Sequence, residues 1–334
     1  MSVSRLSIAI ADGLVDLPAQ GRIAVFRPKA NTDLGALPKD RVHVIQGFWP
    51  DHQAFVAQGF ETGTEPVGEY AAAIIFVPRA KAEARALVAQ AAKITGGGPV
   101  IIDGQKTDGV ESILKDCKKR NAIISGAYSK AHGRTFTVTG GDFSDWMADQ
   151  NETQLGDGFV TVPGIFSADA IDKGSAILVA ALPEKIAGRV CDLGAGWGYL
   201  SAEVLKHPEV TECHLIEAEQ AALQAARRNI TDPRAVFHWA DATNAHIDGG
   251  FDIIVCNPPF HTMRSAEPSL GQAFIAAAAR LLKGHGTLWL VANRHLPYEA
   301  ALSEAFREVV ETAGDSSFKV FRASKPRHGA RKNA

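Results

Sequence analysis

The stretch GRVCDLGAGWGYLS, residues 188–201, runs from an apolar segment through a glycine cluster into a helical pattern. The glycines that follow Asp192 are Gly194, Gly196 and Gly198. Glycines between a first strand and its helix let a ligand approach the backbone closely. A dinucleotide site would prefer the spacing G-x-G-x-x-G, but Tyr199 stands where its third glycine would be. We therefore predict a strand over residues 188–194, a glycine turn and a helix, which together bind a different small ligand; a purely structural turn is the alternative.

Outward from this turn, the second half of the chain alternates apolar runs with helical segments. Further strands are predicted at 212–217, 235–241, 251–256, 286–293 and 317–323. A long alanine-rich helix ending in glycines is predicted over residues 269–286. Strands separated by helices of about 10–15 residues indicate a doubly wound, mostly parallel sheet. The predicted fold class is α/β.

The first half carries a weaker copy of part of this pattern. Residues 69–104 give a strand, a proline turn, an alanine-rich helix, a glycine cluster and a strand, in the order found from residue 251 onward. Aligning Pro78 with Pro258 places Val77 at Asn257. We interpret this as an internal duplication whose first copy has lost its site, against the alternative that any α/β unit looks similar. The predicted organisation is two tandem Rossmann-like domains, a degenerate one (1–140) and a site-bearing one (161–334), joined by a linker (141–160).

Composition excludes several classes of protein. The chain has 334 residues, 46% of them hydrophobic and 22% charged, which is typical of a globular protein with two domains. No apolar run approaches the ~20 residues that a membrane span needs, and the early Asp12 and Asp16 argue against a signal peptide. Four cysteines without a C-x-x-C pair predict reduced thiols in a cytoplasmic protein. The net charge is −2, yet residues 319–334 hold six Lys or Arg and no acid.

Acidic side chains end three successive predicted strands. Asp192, Glu217 and Asp241 each stand where a parallel strand reaches the carboxyl edge of the sheet. Acids at such positions face the ligand crevice and accept hydrogen bonds from ribose or base groups. A helix follows Glu217 at once, so an acid favoured by the helix dipole is the alternative reading there. Together the acids predict a nucleoside-containing ligand.

The fourth strand of this series ends in Asn257-Pro258-Pro259-Phe260, which resembles the signature motif of amino-methyltransferases, and that resemblance implies an amine as the acceptor. An exocyclic base amine is a poor nucleophile because its lone pair is delocalised into the ring. An Asn side-chain oxygen and the carbonyl of the next residue can each accept one of the amine hydrogens. The prolines fix φ near −65° and hold that carbonyl rigidly, and Phe260 offers a face on which an extruded base can stack. The motif therefore predicts a site that positions an amine.

These motifs resemble those of class I S-adenosylmethionine-dependent methyltransferases. The D-x-G-x-G-x-G spacing from Asp192 is similar to their motif I, and Asn-Pro-Pro-aromatic is similar to the amino-methyltransferase signature. With segments 161–182, 291–299 and 318–323, the match over about 155–325 resembles the guanine-N2 methyltransferases of small-subunit ribosomal RNA. Trp197 departs from the family pattern, because a small residue is usual within the glycine turn.

The resemblance implies a methyltransferase with S-adenosylmethionine as cofactor, no metal, and a guanine exocyclic amine in ribosomal RNA as acceptor. It implies an N-terminal domain that aids folding and RNA binding. The implied catalytic residues are Asn257, Pro258, Pro259 and Phe260. The implied cofactor-binding residues are Gly164, Ile165, Phe166, Asp192, Gly194, Ala195, Gly196, Glu217, Ala218, Ala240, Asp241, Ala242 and Asn257.

Two alternatives remain at this point. One keeps methyl transfer but changes the acceptor to adenine N6 or a protein glutamine amide; those families usually carry Tyr where Phe260 stands. The other is a non-catalytic RNA-binding relative, which the intact acids disfavour.

The expected partner is ribosomal RNA or a ribosomal subunit, bound by a monomer. The predicted phosphate contacts are Lys118, Lys119, Arg120, Lys325, Arg327, Arg331 and Lys332.

Overall fold

A computed structural model describes residues 4–259 and 268–327 of the chain. It divides the chain into two compact units. The first unit runs to Thr153 and includes Val162–Gly164, and the second comprises Gln154–Thr161 and the chain from Ile165 onward.

The first unit is built on a seven-stranded sheet in the order β3-β2-β1-β4-β5-β7-β6. Only the pairings of β7 with β5 and β6 are antiparallel. Its helices are α1 (Arg5–Ala11), α2 (Trp49–Ala57), α3 (Lys81–Ile94) and α4 (Val110–Lys118), with 3-10 turns at Lys39–Arg41, Lys106–Asp108 and Ser144–Gln150. Its strands are β1 (Ile23–Phe26), β2 (Val42–Ile45), β3 (Glu61–Gly63), β4 (Ala72–Phe76), β5 (Val100–Gln105), β6 (Ile123–Lys130) and β7 (Gly133–Thr139).

The second unit repeats this architecture with the order β12-β11-β10-β13-β14-β16-β15. Its helices are α5 (Lys173–Ala181), α6 (Tyr199–Leu205), α7 (Gln220–Asn229), α8 (Pro268–Leu281) and α9 (Glu299–Ala305). Its sheet strands are β10 (Gly188–Leu193), β11 (Val210–Glu217), β12 (Ala235–Trp239), β13 (Phe251–Cys256), β14 (Leu282–Asn293), β15 (Phe306–Gly314) and β16 (Phe318–Pro326). The short strands β8 (Thr153–Gln154) and β9 (Val160–Thr161) pair with each other.

Both sheets thus have the same strand order, so the prediction of two tandem, mostly parallel α/β folds is confirmed. Apolar side chains cover both faces of each sheet, as parallel strands require. Among the described residues, no helix is both long and apolar enough to span a membrane.

A cation–aromatic contact recurs at the same place in both units, and we call it the arginine latch. The guanidinium carbon of Arg22, just before β1, lies 4.9 Å from the ring centroid of Tyr70. Arg189, at the start of β10, lies 5.0 Å from the ring centroid of Phe251. Each arginine follows a glycine with positive φ, and the strand register gives the two rings equivalent positions. The shared latch supports our proposal of an internal duplication.

All four cysteines are buried and unpaired. Burial raises the pKa of Cys117 and of Cys213 to about 12, and it raises the pKa of Cys191 and Cys256 as well. Thiols held in the protonated form are poor nucleophiles. The cysteines therefore serve as apolar packing groups.

Several local features differ from the sequence-based prediction. The predicted linker begins with the 3-10 segment Ser144–Gln150, whose Trp146 is buried in the core of the first unit. The segment RTFTVT lies in β7, which forms an antiparallel hairpin with β6 and also pairs with β5. The hairpin predicted around this segment is therefore present, but it belongs to the first sheet and not to the linker. The helix predicted over 269–286 ends at Leu281, and its glycines instead fall within β14.

Candidate active site

A cleft opens at the carboxyl edge of the second sheet, where β10 and β13 end side by side. Leu193 and Cys256 are register partners in these parallel strands, so Gly194 and Asn257 leave the sheet as neighbours. The side chains and turns that line the cleft are those of Phe166, Ser167, Asp172, Ser175, Gly194, Ala195, Gly196, Trp197, Tyr199, Leu200 and Asn257. The fold thus brings the glycine turn and the Asn-Pro-Pro motif together, as predicted.

Backbone hydrogen bonds hold the glycine turn against the end of β11. The amides of Gly194 and Ala195 both donate to the Ile216 carbonyl, at 2.9 and 3.1 Å. The Gly196 amide donates to Glu217 Oε2 at 2.8 Å. Gly196 has φ +56°, and no atom lies within 4 Å of the position its Cβ would take. The turn therefore keeps an open face toward the cleft that a side chain would fill.

Glu217 is the acid at the end of β11, and it organises the neighbouring backbone. Its Oε1 accepts a hydrogen bond from the Glu219 amide at 2.7 Å, while Oε2 accepts the one from Gly196. Burial raises the pKa of its carboxyl group, and these backbone donors oppose the rise. Glu217, the second of the three predicted acids, thus ties the glycine turn to the backbone that follows β11.

Asp192 lies below the turn and is completely buried. Its Oδ2 accepts a hydrogen bond from Ser201 Oγ at 2.7 Å, and its Oδ1 has no partner among the described residues. Burial raises the pKa of this carboxyl group to about 7. Its position supports the turn from beneath, and a direct contact with a ligand in the cleft stays a prediction.

The end of β12 carries the third acid beside that of β11. Asp241 Oδ1 accepts hydrogen bonds from the Thr243 amide at 2.9 Å and from Thr243 Oγ1 at 2.7 Å. The Ala240 amide donates to the Glu217 carbonyl at 3.0 Å. Ala242 is buried in the hydrophobic core, and its contact with the cofactor stays a prediction. Ala218, also predicted to contact the cofactor, uses its carbonyl to accept a hydrogen bond from Trp239 Nε1 at 2.8 Å.

Asn257 has a fixed amide group with one free acceptor. Its Nδ2 donates to Asp172 Oδ2 at 2.9 Å and to Ser175 Oγ at 2.8 Å. Its Oδ1 is buried and has no hydrogen-bond partner among the described residues. A buried amide oxygen without a partner costs about 1–3 kcal/mol, so its retention points to a ligand donor. Pro258 is buried and Pro259 exposed, whereas Phe260 lies outside the described residues.

Sequence reasoning missed Asp172 and Ser175. Asp172 is the N-cap of α5, and its Oδ2 also accepts a hydrogen bond from the Ser175 amide at 2.8 Å. The signal in the sequence was the D-x-x-S pattern before a helix, which predicts a cap. Nothing in that pattern predicts a contact with a residue 85 positions later.

Trp197, the departure within the glycine turn, packs into an aromatic cluster. Its ring centroid lies 5.1 Å from that of Phe159 and 5.9 Å from that of Tyr199. Its carbonyl accepts a hydrogen bond from Asn229 Nδ2 at 2.8 Å. The residue is buried and borders the cleft, so it shapes one wall of the site.

The three residues of the predicted segment from Gly164 to Phe166 differ in their relation to the cleft. Phe166 lines the cleft with 58% of its surface exposed, whereas Ile165 is buried. Gly164 has φ +93°, and a Cβ there would collide with Glu83 of the first unit, to which Gly164 belongs. Its role toward the cofactor stays a prediction.

Across residues 4–259 and 268–327, no three His, Cys, Asp or Glu side chains cluster as metal ligands would.

The predicted phosphate contacts have different surroundings. Arg120 is held by both carboxylate oxygens of Asp145 and lies over the Trp146 ring, 5.2 Å from its centroid. Lys118 is exposed. Lys119 Nζ lies 4.0 Å from Asp116 Oδ1, and Lys325 forms an ion pair with Glu308. Arg327 Nε donates to the Phe306 carbonyl at 3.2 Å. Arg331 and Lys332 lie outside the described residues.

Comparisons with known proteins agree with this geometry. A family model described as the methyltransferase small domain matches residues 157–322. The ribosomal RNA small subunit methyltransferase C of Salmonella choleraesuis is 32% identical over 260 residues, which are 75% of this chain and 74% of that protein. This chain belongs to that methyltransferase family.

Other members of the family match similarly, and one structure shares the fold. The small subunit methyltransferase C of Psychromonas ingrahamii is 32% identical over 260 residues, covering 74% of each chain. The T. thermophilus 16S rRNA N2 methyltransferase RsmC, solved with AdoMet and guanosine, has a TM-score of 0.78 and 23% identity. That match covers 93% of this chain and 90% of RsmC, so the likeness of fold extends over both units.

Proposed function

We propose that the protein transfers a methyl group from S-adenosylmethionine to the exocyclic N2 amine of a guanine in small-subunit ribosomal RNA. The observation that carries this proposal is the buried, unpartnered Oδ1 of Asn257 beside the glycine turn. An amine of a base supplies the donor that this acceptor lacks. The relatives in this family are named as methyltransferases of small-subunit ribosomal RNA.

The residues of the second unit fit the proposed cofactor. The open face at Gly196 leaves room for a ligand against the backbone, and Glu217 and Asp241 stand at adjacent strand ends where ribose and adenine groups would be bound. Asp192 and Glu217 have raised pKa values because they are buried, as is common at functional sites. When bound, S-adenosylmethionine supplies a methyl group on a positively charged sulfur.

The chain itself orients the amine. In the proposed complex, Asn257 Oδ1 accepts one amine hydrogen and the Pro258 carbonyl accepts the other. Both acceptors favour a more tetrahedral nitrogen, whose lone pair is then available for attack. Pro258 and Pro259 restrict the backbone so that this carbonyl keeps its direction. Positioning alone can account for about 7–11 kcal/mol of a barrier, so no strong general base is needed before the transfer. As the nitrogen–carbon bond forms, the carbon–sulfur bond of the donor breaks to give S-adenosylhomocysteine, and the methylated amine then releases its proton to solvent.

The same proposal specifies how the acceptor guanine is presented and which RNA carries it. We infer that the guanine is flipped from its RNA context, since a stacked and paired base cannot reach a cleft of this kind. The substrate is ribosomal RNA or a small-subunit particle, bound by a monomer in the cytoplasm. Domain roles follow the sequence prediction: the first unit supports folding and RNA binding, and the second unit performs catalysis.

The test is nucleoside analysis of both ribosomal RNAs from a strain lacking the gene. We expect one N2-methylguanosine to disappear from small-subunit RNA and to return when purified protein and S-adenosylmethionine are added to subunits or RNA from that strain. Protein carrying Asn257→Ala serves as the inactive control. Methylation found instead on adenine N6 or on a glutamine side chain, with guanine unchanged, would contradict the proposal.

A further inference from the structure

We propose that Asp172 and Ser175 form an amide clamp that fixes the carboxamide of Asn257 with Oδ1 toward the substrate, which makes Asp172 a positioning residue for methyl transfer. The inference rests on the proposed function, since it assigns the direction from which Asn257 meets the amine. It assigns a role to the first turn of α5, which lies outside the glycine turn and the Asn-Pro-Pro motif.

The direction of the amide follows from the chemistry of the clamp. A side-chain amide has an acceptor end and a donor end of nearly equal size, so packing alone does not choose between them. An ionised carboxylate has acceptors only, and therefore the group facing Asp172 Oδ2 at 2.9 Å must be the Nδ2 of Asn257. Ser175 Oγ, 2.8 Å from the same nitrogen, can adapt as donor or acceptor. Asp172 is consequently the member that determines the orientation.

The clamp is itself held in place by the start of α5. Asp172 Oδ2 accepts the Ser175 amide at 2.8 Å as the N-cap of the helix. A negative charge at this end of a helix is favoured by the helix dipole. One carboxylate oxygen thus receives both the cap and the Asn257 amide, so the α5 N-terminus and the end of β13 are tied together. Asp172 and Ser175 both line the cleft beside Asn257.

Loss of this orientation would turn the acceptor oxygen of Asn257 away from the substrate amine. If the carboxamide turned by half a rotation, Nδ2 would face the guanine amine and a donor would oppose a donor. Cofactor binding would be spared, because the glycine turn is held by Ile216 and Glu217, which the clamp does not contact. The clamp therefore acts on the turnover step and leaves the earlier binding of S-adenosylmethionine intact.

The decisive variant is Asp172→Ser. Serine is as good an N-cap as aspartate, so α5 should keep its stability. Its hydroxyl, however, can donate to Asn257 Oδ1 as well as accept from Nδ2, so it no longer determines which end of the carboxamide faces it. We expect kcat to fall about 100-fold, comparable to the effect of a small misplacement of reacting groups, with KM and the S-adenosylmethionine Kd within about 3-fold of wild type. Ser175→Ala should cost less, since it leaves the carboxylate in place.

The matched control is Asp142→Ser in the first unit. Asp142 Oδ1 also accepts a backbone amide two residues later, that of Ser144 at 2.9 Å, in an exposed turn. The control removes the same charge from a similar turn and should leave kcat unchanged. If Asp172→Ser also keeps wild-type kcat, the clamp has no positioning role and the inference fails. Loss of cofactor affinity or thermal stability together with kcat would overturn it in favour of a purely structural role.

A second measurement separates the clamp from the proposed function. In protein labelled with ¹⁵N at asparagine, the side-chain NH₂ signals of Asn257, assigned by their absence in Asn257→Asp, should exchange slowly with water in the wild type. Asp172→Ser should shift these signals and accelerate their exchange. If wild-type protein methylates no guanine yet the signals are protected, the proposed function fails and the clamp stands. Unprotected wild-type signals would refute the clamp whatever the activity.

Discussion

The buried carboxyl group of Asp192 gives a prediction about stability that can be worked out from its surroundings. It is fully buried below the glycine turn, with Ser201 as the donor to Oδ2 and no partner for Oδ1 among the described residues. Burial raises its pKa from 3.8 to about 7. Asp192→Asn removes the titration and retains an oxygen that can accept the Ser201 hydrogen bond.

The sign of the effect follows from proton binding. Between about pH 4 and pH 7 the folded protein keeps a proton on Asp192 that the unfolded chain has already lost. The free energy of unfolding should therefore fall as pH rises through this range, and the full cost should be present above pH 7. A pKa difference of about three corresponds to about 4 kcal/mol in total. Between pH 5 and pH 8 the contribution is about 2–3 kcal/mol.

The assay is urea unfolding at several pH values between 5 and 8, followed by tryptophan fluorescence. The second unit contains Trp197, Trp239 and Trp289, which report on its unfolding. We expect the stability of Asp192→Asn relative to wild type to increase by about 2–3 kcal/mol from pH 5 to pH 8, because other titrating groups cancel in the difference. Asp142→Asn, at an exposed turn, should show no such slope. Parallel curves for Asp192→Asn and wild type would refute the buried, proton-retaining carboxyl group.

Three further predictions concern catalysis and binding. Asn257→Ala should reduce methyl transfer at least about 100-fold while calorimetry shows S-adenosylmethionine affinity within about 3-fold of wild type; loss of both would make Asn257 a structural residue. Gly196→Ala and Gly13→Ala each place a methyl group at positive φ with open space around it, so both should lose about 1 kcal/mol of stability, and only Gly196→Ala should lose cofactor affinity. Equal cofactor affinity in both glycine variants would argue against a ligand at the turn. Removing residues 328–334 deletes two predicted phosphate contacts, so the slope of log K against log salt for RNA binding should become shallower by about 1.4–1.8, and an unchanged slope would exclude the tail from the interface.

The buried strands of the second half could be predicted from the sequence because their signals are local. The predicted strand 251–256 coincides with β13, and 188–194 differs from β10 by one residue. Such segments are short continuous apolar runs bounded by glycine or proline, which are strong local signals. The same locality explains why the glycine turn and Asn257 could be placed at one edge of the sheet.

Other elements depend on contacts that a local pattern does not contain. β15, Phe306–Gly314, was not predicted because it is an edge strand whose side chains are mostly exposed and include three charged residues. Trp146 anchors a polar segment that otherwise looked like a linker. The hydrogen bond between Asp172 and Asn257 joins residues far apart in sequence, and its functional meaning depends on which amide atom faces the carboxylate.

The arginine latch is a feature that the two units share at a distance from the candidate active site. The strand register that aligns the two latches places Phe76 at the position of Asn257, so the sequence alignment that placed Val77 there was wrong by one residue. The latch lies where β1 and β10 begin, at the end of each sheet opposite the carboxyl edge. The chain thus contains two copies of one sheet that share the latch and differ at the carboxyl edge. The first unit is therefore an internal control for the roles that we propose for the carboxyl edge of the second.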